Sequence, residues 1–226
     1  MLPAEAIDLI TNVIVGRLVP VYFCFIQFRQ MRVVIVFNHP YEGSYGNAIL
    51  KSVTKGLEGA NHEVDLMHLD HDGFNPVMTK EDLKAFLDHK PVDPQVIDYN
   101  ERLEKADHLI FIFPIWWDLM PAMTKGFIDR VLSPGVVYDH HPRGFGLVPL
   151  LKDLKGVTII TTMSKPKILY WLLIGNLIEK AMLRSVFKTM GYKNLNWISF
   201  NMVKSVSQEK RVKWLTDMET RFSKLK

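Results

Sequence analysis

Residues 107–138, DHLIFIFPIWWDLMPAMTKGFIDRVLSPGVVY, decide how this chain is read. Leu109–Phe113 is an unbroken apolar run rich in β-branched and aromatic side chains and ends at Pro114. Such a run suits a strand covered on both faces, as in a parallel sheet. Pro121 stands where a helix can begin, since the first helical position needs no N–H. Ala122, Met123, Phe127, Ile128 and Val131 follow at helical spacing, and Pro134-Gly135 closes the segment. Between strand and helix lies Pro114-Ile115-Trp116-Trp117-Asp118. Two adjacent indoles in a short loop cannot both be core. At the carboxyl end of a buried parallel strand, ligands bind.

Working outward, the same alternation recurs. Residues 32–37 form a first apolar strand, followed by the loop Asn38–Asn47 and a helical stretch over 48–59. Ser44 is placed to cap that helix, and loop plus helix N-terminus offer N–H groups to an anion. Neither the dinucleotide glycine pattern nor the P-loop occurs there. Residues 62–68 form a second strand, Thr79-Lys80-Glu81-Asp82 a capped helix start, and 93–105 an amphipathic helix leading into the central strand. Residues 156–162 and 194–200 supply a fourth and fifth strand, and 208–224 the last helix. Five strands separated by helices predict an α/β doubly wound parallel sheet of order 2-1-3-4-5. His62, His68 and His71 alternate across strand and loop and read as a solvated strand edge rather than a metal site.

Composition narrows the function. Of 226 residues, 48% are hydrophobic and 23% charged, so the chain fits one α/β domain with a sizeable core. A net charge of +4 without a basic block gives nucleic-acid binding no support, argues against an acidic electron carrier, and suits anionic cosubstrates. The single cysteine, Cys24, excludes a disulfide framework, a cysteine metal site and thiol catalysis in the main domain, and fits a reducing cytoplasm. Residues 1–30 match nothing that follows. Asp8, Arg17 and Pro20 interrupt the apolar stretch 7–28, so a spanning helix is a poor match, and a signal peptide is too, since no basic n-region precedes the stretch and no small-x-small site follows it. We read residues 1–30 as an N-terminal extension outside the fold and 31–226 as the domain, with Met31 as the expected start. A membrane-surface anchor is the alternative, and the intact mass of the native product distinguishes the two.

The ordered run Phe-Pro-Ile-Trp-Trp, Pro-Ala-Met-x-Lys-Gly-Phe-Ile-Asp-Arg-Val and Gly-Val-Val-Tyr resembles the signature of the flavodoxin-like NAD(P)H:quinone oxidoreductases. The resemblance covers about residues 31–222. It implies a flavodoxin-like three-layer fold and a flavin, FMN or FAD, that passes hydride from NAD(P)H to a quinone or similar small acceptor. It implies further that His39, Ser44 and Tyr45 hold the phosphate end, with His39 donating to phosphate. Pro114, Ile115, Trp116, Trp117 and Asp118 would line the ring, and Thr161, Thr162, Met163 and Ser164 its edge. Val137, Tyr138 and Asp139 carry over as substrate-side residues.

Two departures stand out. Met163-Ser164 replaces a glycine pair that lets backbone approach the flavin closely. The family's tyrosine–histidine proton relay has no match, which leaves Tyr138, Tyr170, His140 or water as the proton donor. His140-His141 reads as part of a mobile loop, and Arg143 is the nearest arginine for a nucleotide phosphate. The apolar stretch 167–190 predicts a long helix with a second buried face, hence a homodimer, as the resemblance also implies. The rival function is a flavoprotein subunit that regulates a membrane transporter of the potassium-efflux type.

Overall fold

The computed structural model describes residues 29–226, so Cys24 and nearly all of the N-terminal extension lie outside the described residues. Strands β1 (Arg32–Phe37), β2 (Glu63–His68), β3 (His108–Pro114), β6 (Gly156–Met163) and β7 (Leu195–Asn201) form one parallel sheet of order β2-β1-β3-β6-β7. This is the predicted 2-1-3-4-5 arrangement. β3 lies at its centre with every residue buried, which is why its sequence is an unbroken apolar run. Helices α1 (Tyr45–Gly59) and α6 (Gln208–Phe222) cover one face; α2 (Lys80–Asp88), α3 (Pro94–Glu104) and α4 (Ala122–Val131) precede or follow β3 on the other. Alternate β3 side chains divide accordingly: Ile110 and Ile112 join the core under α1 and α6, while Leu109, Phe111 and Phe113 join the core with Phe127 and Val131.

Three expectations change. The stretch 167–190 is not one helix: α5 (Lys167–Ile174) ends at Gly175, whose φ of 76° only glycine adopts freely, and a π-helix follows over Glu179–Lys188. The wider π turn brings Arg184 onto Glu179, five residues earlier, as an ion pair. The segment holding His140-His141, expected as a mobile loop, is part of an antiparallel hairpin: β4 (Tyr138–His140) pairs with β5 (Leu147–Pro149), and residues 141–146 are the loop between them. Finally, His62 and His68 do not sit on a solvated edge; they are 6% and 7% exposed. His62 Nδ1 accepts the Met31 N–H at 3.2 Å, and His68 Nδ1 accepts the His71 N–H at 3.3 Å. Among the described residues no cluster of His, Cys, Asp or Glu is placed to hold a metal, and no helix is long and apolar enough to cross a membrane.

His108, at the start of β3, is buried with Nε2 2.9 Å from Thr158 Oγ1. Burial lowers its pKa to about 4, so between about pH 6.5 and 4 the unfolded chain binds a proton that the folded chain refuses. Stability therefore rises with pH across that window, and His108 contributes a slope of at most about 1.4 kcal/mol per pH unit. His108→Gln is expected to flatten the curve of urea midpoint against pH between pH 4.5 and 6.5. An unchanged curve would show that His108 does not control this dependence.

Candidate active site

The carboxyl ends of β3 and β6 open into a cleft of about 470 Å³, lined by Ile115, Trp116, Trp117, Asp118, Met163, Ser164 and Lys165. That volume is within the range of cofactor sites. The two walls are joined at the base, where the Ile115 N–H donates to the Thr162 carbonyl at 2.8 Å. Pro114 is the last, buried residue of β3 and pairs in register with Thr162. The cleft stays open beside Met163 and Ser164. The Met163 side chain is buried against the core and forms part of the lining, and Ser164 is turned to solvent.

Trp116 and Leu119 exchange backbone hydrogen bonds of 3.0 and 3.1 Å, making Trp117-Asp118 a two-residue turn. Both turn residues are left-handed, with φ of 49° and 66°. That turn favours Asn-Gly, and each non-glycine residue in it costs on the order of 1 kcal/mol. Trp117 is 99% exposed, so its own packing does not hold it there.

Beside the cleft lies the β1–α1 loop. His39 meets Trp116 edge to face at 6.2 Å. Its Nδ1 accepts the Tyr41 N–H at 3.1 Å, which in the neutral ring leaves the proton on Nε2 as an outward donor. Burial, against the opposing charge of Asp70, holds the His39 pKa below its usual value and so favours that neutral form. Ser44 caps α1, its hydroxyl oxygen accepting the Asn47 N–H at 3.2 Å. The N–H groups of Tyr45 and Gly46 begin the helix without intrahelical partners, as an anion site requires. The loop is pinned from below by Asn38, which donates to Asp70 at 2.9 Å and accepts from the Thr124 hydroxyl at 2.9 Å. Sequence alone gives no sign of this support, because Thr124 lies 86 residues further on.

Several expected site residues take other positions. The Tyr45 ring packs against Phe200 and Trp214, and its hydroxyl donates to the Arg211 carbonyl at 2.9 Å. Thr161 is fully buried and its hydroxyl accepts the Trp197 Nε1–H at 2.9 Å, so its side chain does not face the cleft. Tyr170 is 0% exposed; its hydroxyl donates to the Asp118 carbonyl at 2.8 Å and accepts the Ile178 N–H at 3.0 Å. Both functions of that oxygen are committed, which removes Tyr170 as a proton donor. Val137 is a core residue whose carbonyl accepts from Tyr192 and Leu150. Tyr138, half-buried, and Asp139 and His140 belong to the hairpin and are not among the residues lining the cleft. Asp139 lies 3.7 Å from His89 instead. Arg143 is exposed between the two hairpin strands. Lys165, not singled out from sequence, reaches Asp118 across the cleft mouth with both carboxylate oxygens at 2.6 Å.

A family model described as "Flavodoxin-like fold" matches residues 31–222. The chain belongs to the flavodoxin-like fold family. Within the family, it is 34% identical over 122 residues to an uncharacterized NAD(P)H oxidoreductase, YcaK, of Escherichia coli K12. That match covers 53% of this chain and 62% of the relative, so the chain spans less than two thirds of that protein's length. Among solved structures, an NAD(P)H:quinone oxidoreductase from Methanothermobacter marburgensis superposes with a TM-score of 0.77 at 24% identity. It covers 87% of this chain and all of that one. A protein of Streptococcus mutans UA159 superposes at 0.74 with 28% identity, over 86% of this chain and all of that one.

Proposed function

We propose that this flavodoxin-like protein is a flavin-dependent oxidoreductase that passes hydride from NAD(P)H to a quinone or similar small acceptor. The observation that carries the reading is the cleft itself. It sits at the carboxyl ends of β3 and β6, keeps about 470 Å³ open beside Met163 and Ser164, and has Trp116 beside His39 and the cap of α1. An aromatic wall next to a helix N-terminus fits a flat heterocycle joined to a phosphate. The names of the NAD(P)H oxidoreductase relatives point the same way.

A bound flavin supplies hydride acceptance and release. The chain supplies the rest. The His39 Nε2–H and the first N–H groups of α1 would hold the phosphate, Trp116 and Met163 would wall the ring, and backbone of residues 114–118 and 162–164 would hold its edge. FMN is the proposed flavin, with FAD as the alternative in the same titration. A homodimer in the cytoplasm is the proposed form. Supporting it, α5 exposes Ile168, Leu169, Trp171, Leu172 and Leu173, a run of apolar side chains without cover in one subunit. The hairpin, absent from its own subunit's cleft, is then available to the partner's. Burial and the neighbouring Asp139 raise the Tyr138 pKa, so that hydroxyl stays protonated as a candidate donor to the product, with His140 beside it. No observation favours the transporter-regulator alternative.

Purified protein, offered FMN under nitrogen, is expected to hold a flavin band that NADPH bleaches and a quinone restores. Failure to retain either FMN or FAD would overturn the reading. Trp116→Ala is expected to weaken FMN binding about tenfold, the loss of one aromatic stacking contact. An unchanged dissociation constant would remove Trp116 from the ring wall.

A further inference from the structure

We propose that Lys165 and Tyr170 are positioning residues that clamp Trp117-Asp118 in its left-handed turn, and that this imposed turn gives the cleft the wall on which flavin binding depends. The functional half of the inference rests on the flavin reading above; the structural half does not.

The turn conformation is not one its residues choose. Tryptophan is bulky and belongs among the least suited to positive φ, whereas aspartate tolerates it. Trp117, fully in solvent, gains no packing there. What holds the turn is Asp118, gripped from two sides. From the solvent side, Lys165 Nζ lies 2.6 Å from each carboxylate oxygen. From the core side, the buried Tyr170 hydroxyl donates to the Asp118 carbonyl and is itself fixed by the Ile178 N–H. Both grips come from the segment that follows β6, so they tie one wall of the cleft to the other. Lys165 also follows directly on Met163-Ser164. Where a glycine pair would form the wall by close backbone approach, this chain carries Met163-Ser164 and adds a clamp across the mouth.

The two grips differ in weight. Lys165 and Asp118 are partly exposed, with side chains 50% and 22% accessible, so the ion pair is screened and modest in effect. The Tyr170 hydroxyl is buried, and a buried hydrogen bond left half made costs more than a surface ion pair. Tyr170→Phe would strand both the Asp118 carbonyl and the Ile178 N–H, so lower overall stability would mask its effect on the turn.

The decisive comparison is therefore Asp118→Gly against Asp118→Ala. Both delete the carboxylate and with it the Lys165 pair, but only glycine adopts a φ of 66° freely. Tyr170 still grips the Asp118 carbonyl in both variants, so if the Lys165 pair is needed as well to impose the turn, glycine makes that pair dispensable and alanine exposes its loss. Two measurements apply: the FMN dissociation constant, and the 19F spectrum of flavin-free protein labelled with 5-fluorotryptophan. Asp118→Ala is expected to bind FMN at least about tenfold more weakly than Asp118→Gly. In the flavin-free spectra the Trp116 and Trp117 signals are expected to move in Asp118→Ala and in Lys165→Met. They are expected to stay in Lys165→Arg and Asp118→Gly, while Trp197 and Trp214 stay in all four. Equal behaviour of the glycine and alanine variants in the spectra would overturn the clamp. Moved spectra with equal FMN affinities would overturn its role in flavin binding. If the parent protein binds no flavin, the flavin reading and the binding half of this inference fail together, and the spectra still decide the clamp.

Discussion

Replacing Arg130 by methionine is expected to remove about 3 kcal/mol of folding stability, the lower end of the cost of breaking a buried ion pair. Arg130 is 2% exposed at its side chain and ties α4 to three other segments. Its Nε and one terminal nitrogen take both oxygens of Asp82, at 2.9 and 3.1 Å. The same terminal nitrogen reaches Asp93 at 2.8 Å, and the other donates to the Asn75 carbonyl at 2.6 Å. Both carboxylates also cap helices: Asp82 completes the capping box of α2 with Thr79, and Asp93 accepts the first N–H groups of α3. Burial alone would raise their pKa values; the hydrogen bonds from Arg130 and from backbone overcome it and hold both carboxyls below the usual range. Without the guanidinium, two helix caps would carry uncompensated charge in a partly dry site. The lower end of the range applies because Asp93 keeps about a third of its side chain in solvent. Arg130→Lys is expected to recover only part of the loss, since an ammonium cannot fork onto Asp82 and reach Asp93 together. Urea unfolding of flavin-free protein measures both; a loss under about 1 kcal/mol for the methionine variant would refute the assignment.

Gly126→Ala is expected to destabilise by about 3 kcal/mol, opposite in sign to the rule for helix interiors. In an exposed helix, alanine in place of glycine gains roughly 1 kcal/mol. Here a Cβ would stand 2.3 Å from both the Cβ and the carbonyl oxygen of Pro76, and 2.4 Å from its Cα. These atoms belong to a backbone and a ring, so no flexible side-chain end can yield. Overpacking of this kind costs more than the helix preference returns. In a domain of this size the difference corresponds to a melting temperature lower by roughly 6–12 °C. A melting temperature equal to or above the parent's would show that the Asn75-Pro76 segment is free to move away.

These two residues sharpen what the signature around β3 means. Lys-Gly-(x)3-Arg-Val reads, by resemblance, as part of a flavin enzyme's fingerprint, yet neither Gly126 nor Arg130 lines the cleft. One gives α4 its close seat on Pro76; the other locks α4 onto the caps of α2 and α3. Their place in the motif was legible, and their architectural work was not.

The amino-acid sequence by itself determined the sheet order, the central position of β3 and the location of the cleft at the ends of β3 and β6. These follow from local signals: apolar runs, helical spacing, caps such as Ser44 and Thr79, and breaks at Pro114 and Pro134-Gly135. Only the tertiary structure decided which candidates face the cleft. Thr161 and Tyr170 share segments with cleft residues, but strand alternation and helix phase turn their side chains into the protein, while Tyr45 and Val137 pack into the core from neighbouring segments. The left-handed turn at Trp117-Asp118 was equally hidden, because its residues do not favour it. It depends on Lys165 and Tyr170, 47 and 52 residues further on. A backbone conformation imposed by distant contacts leaves no local pattern. The same reason hid Asn38 with Thr124 and Arg130 with Asp82: each pair forms only when the sheet has already brought its helices together.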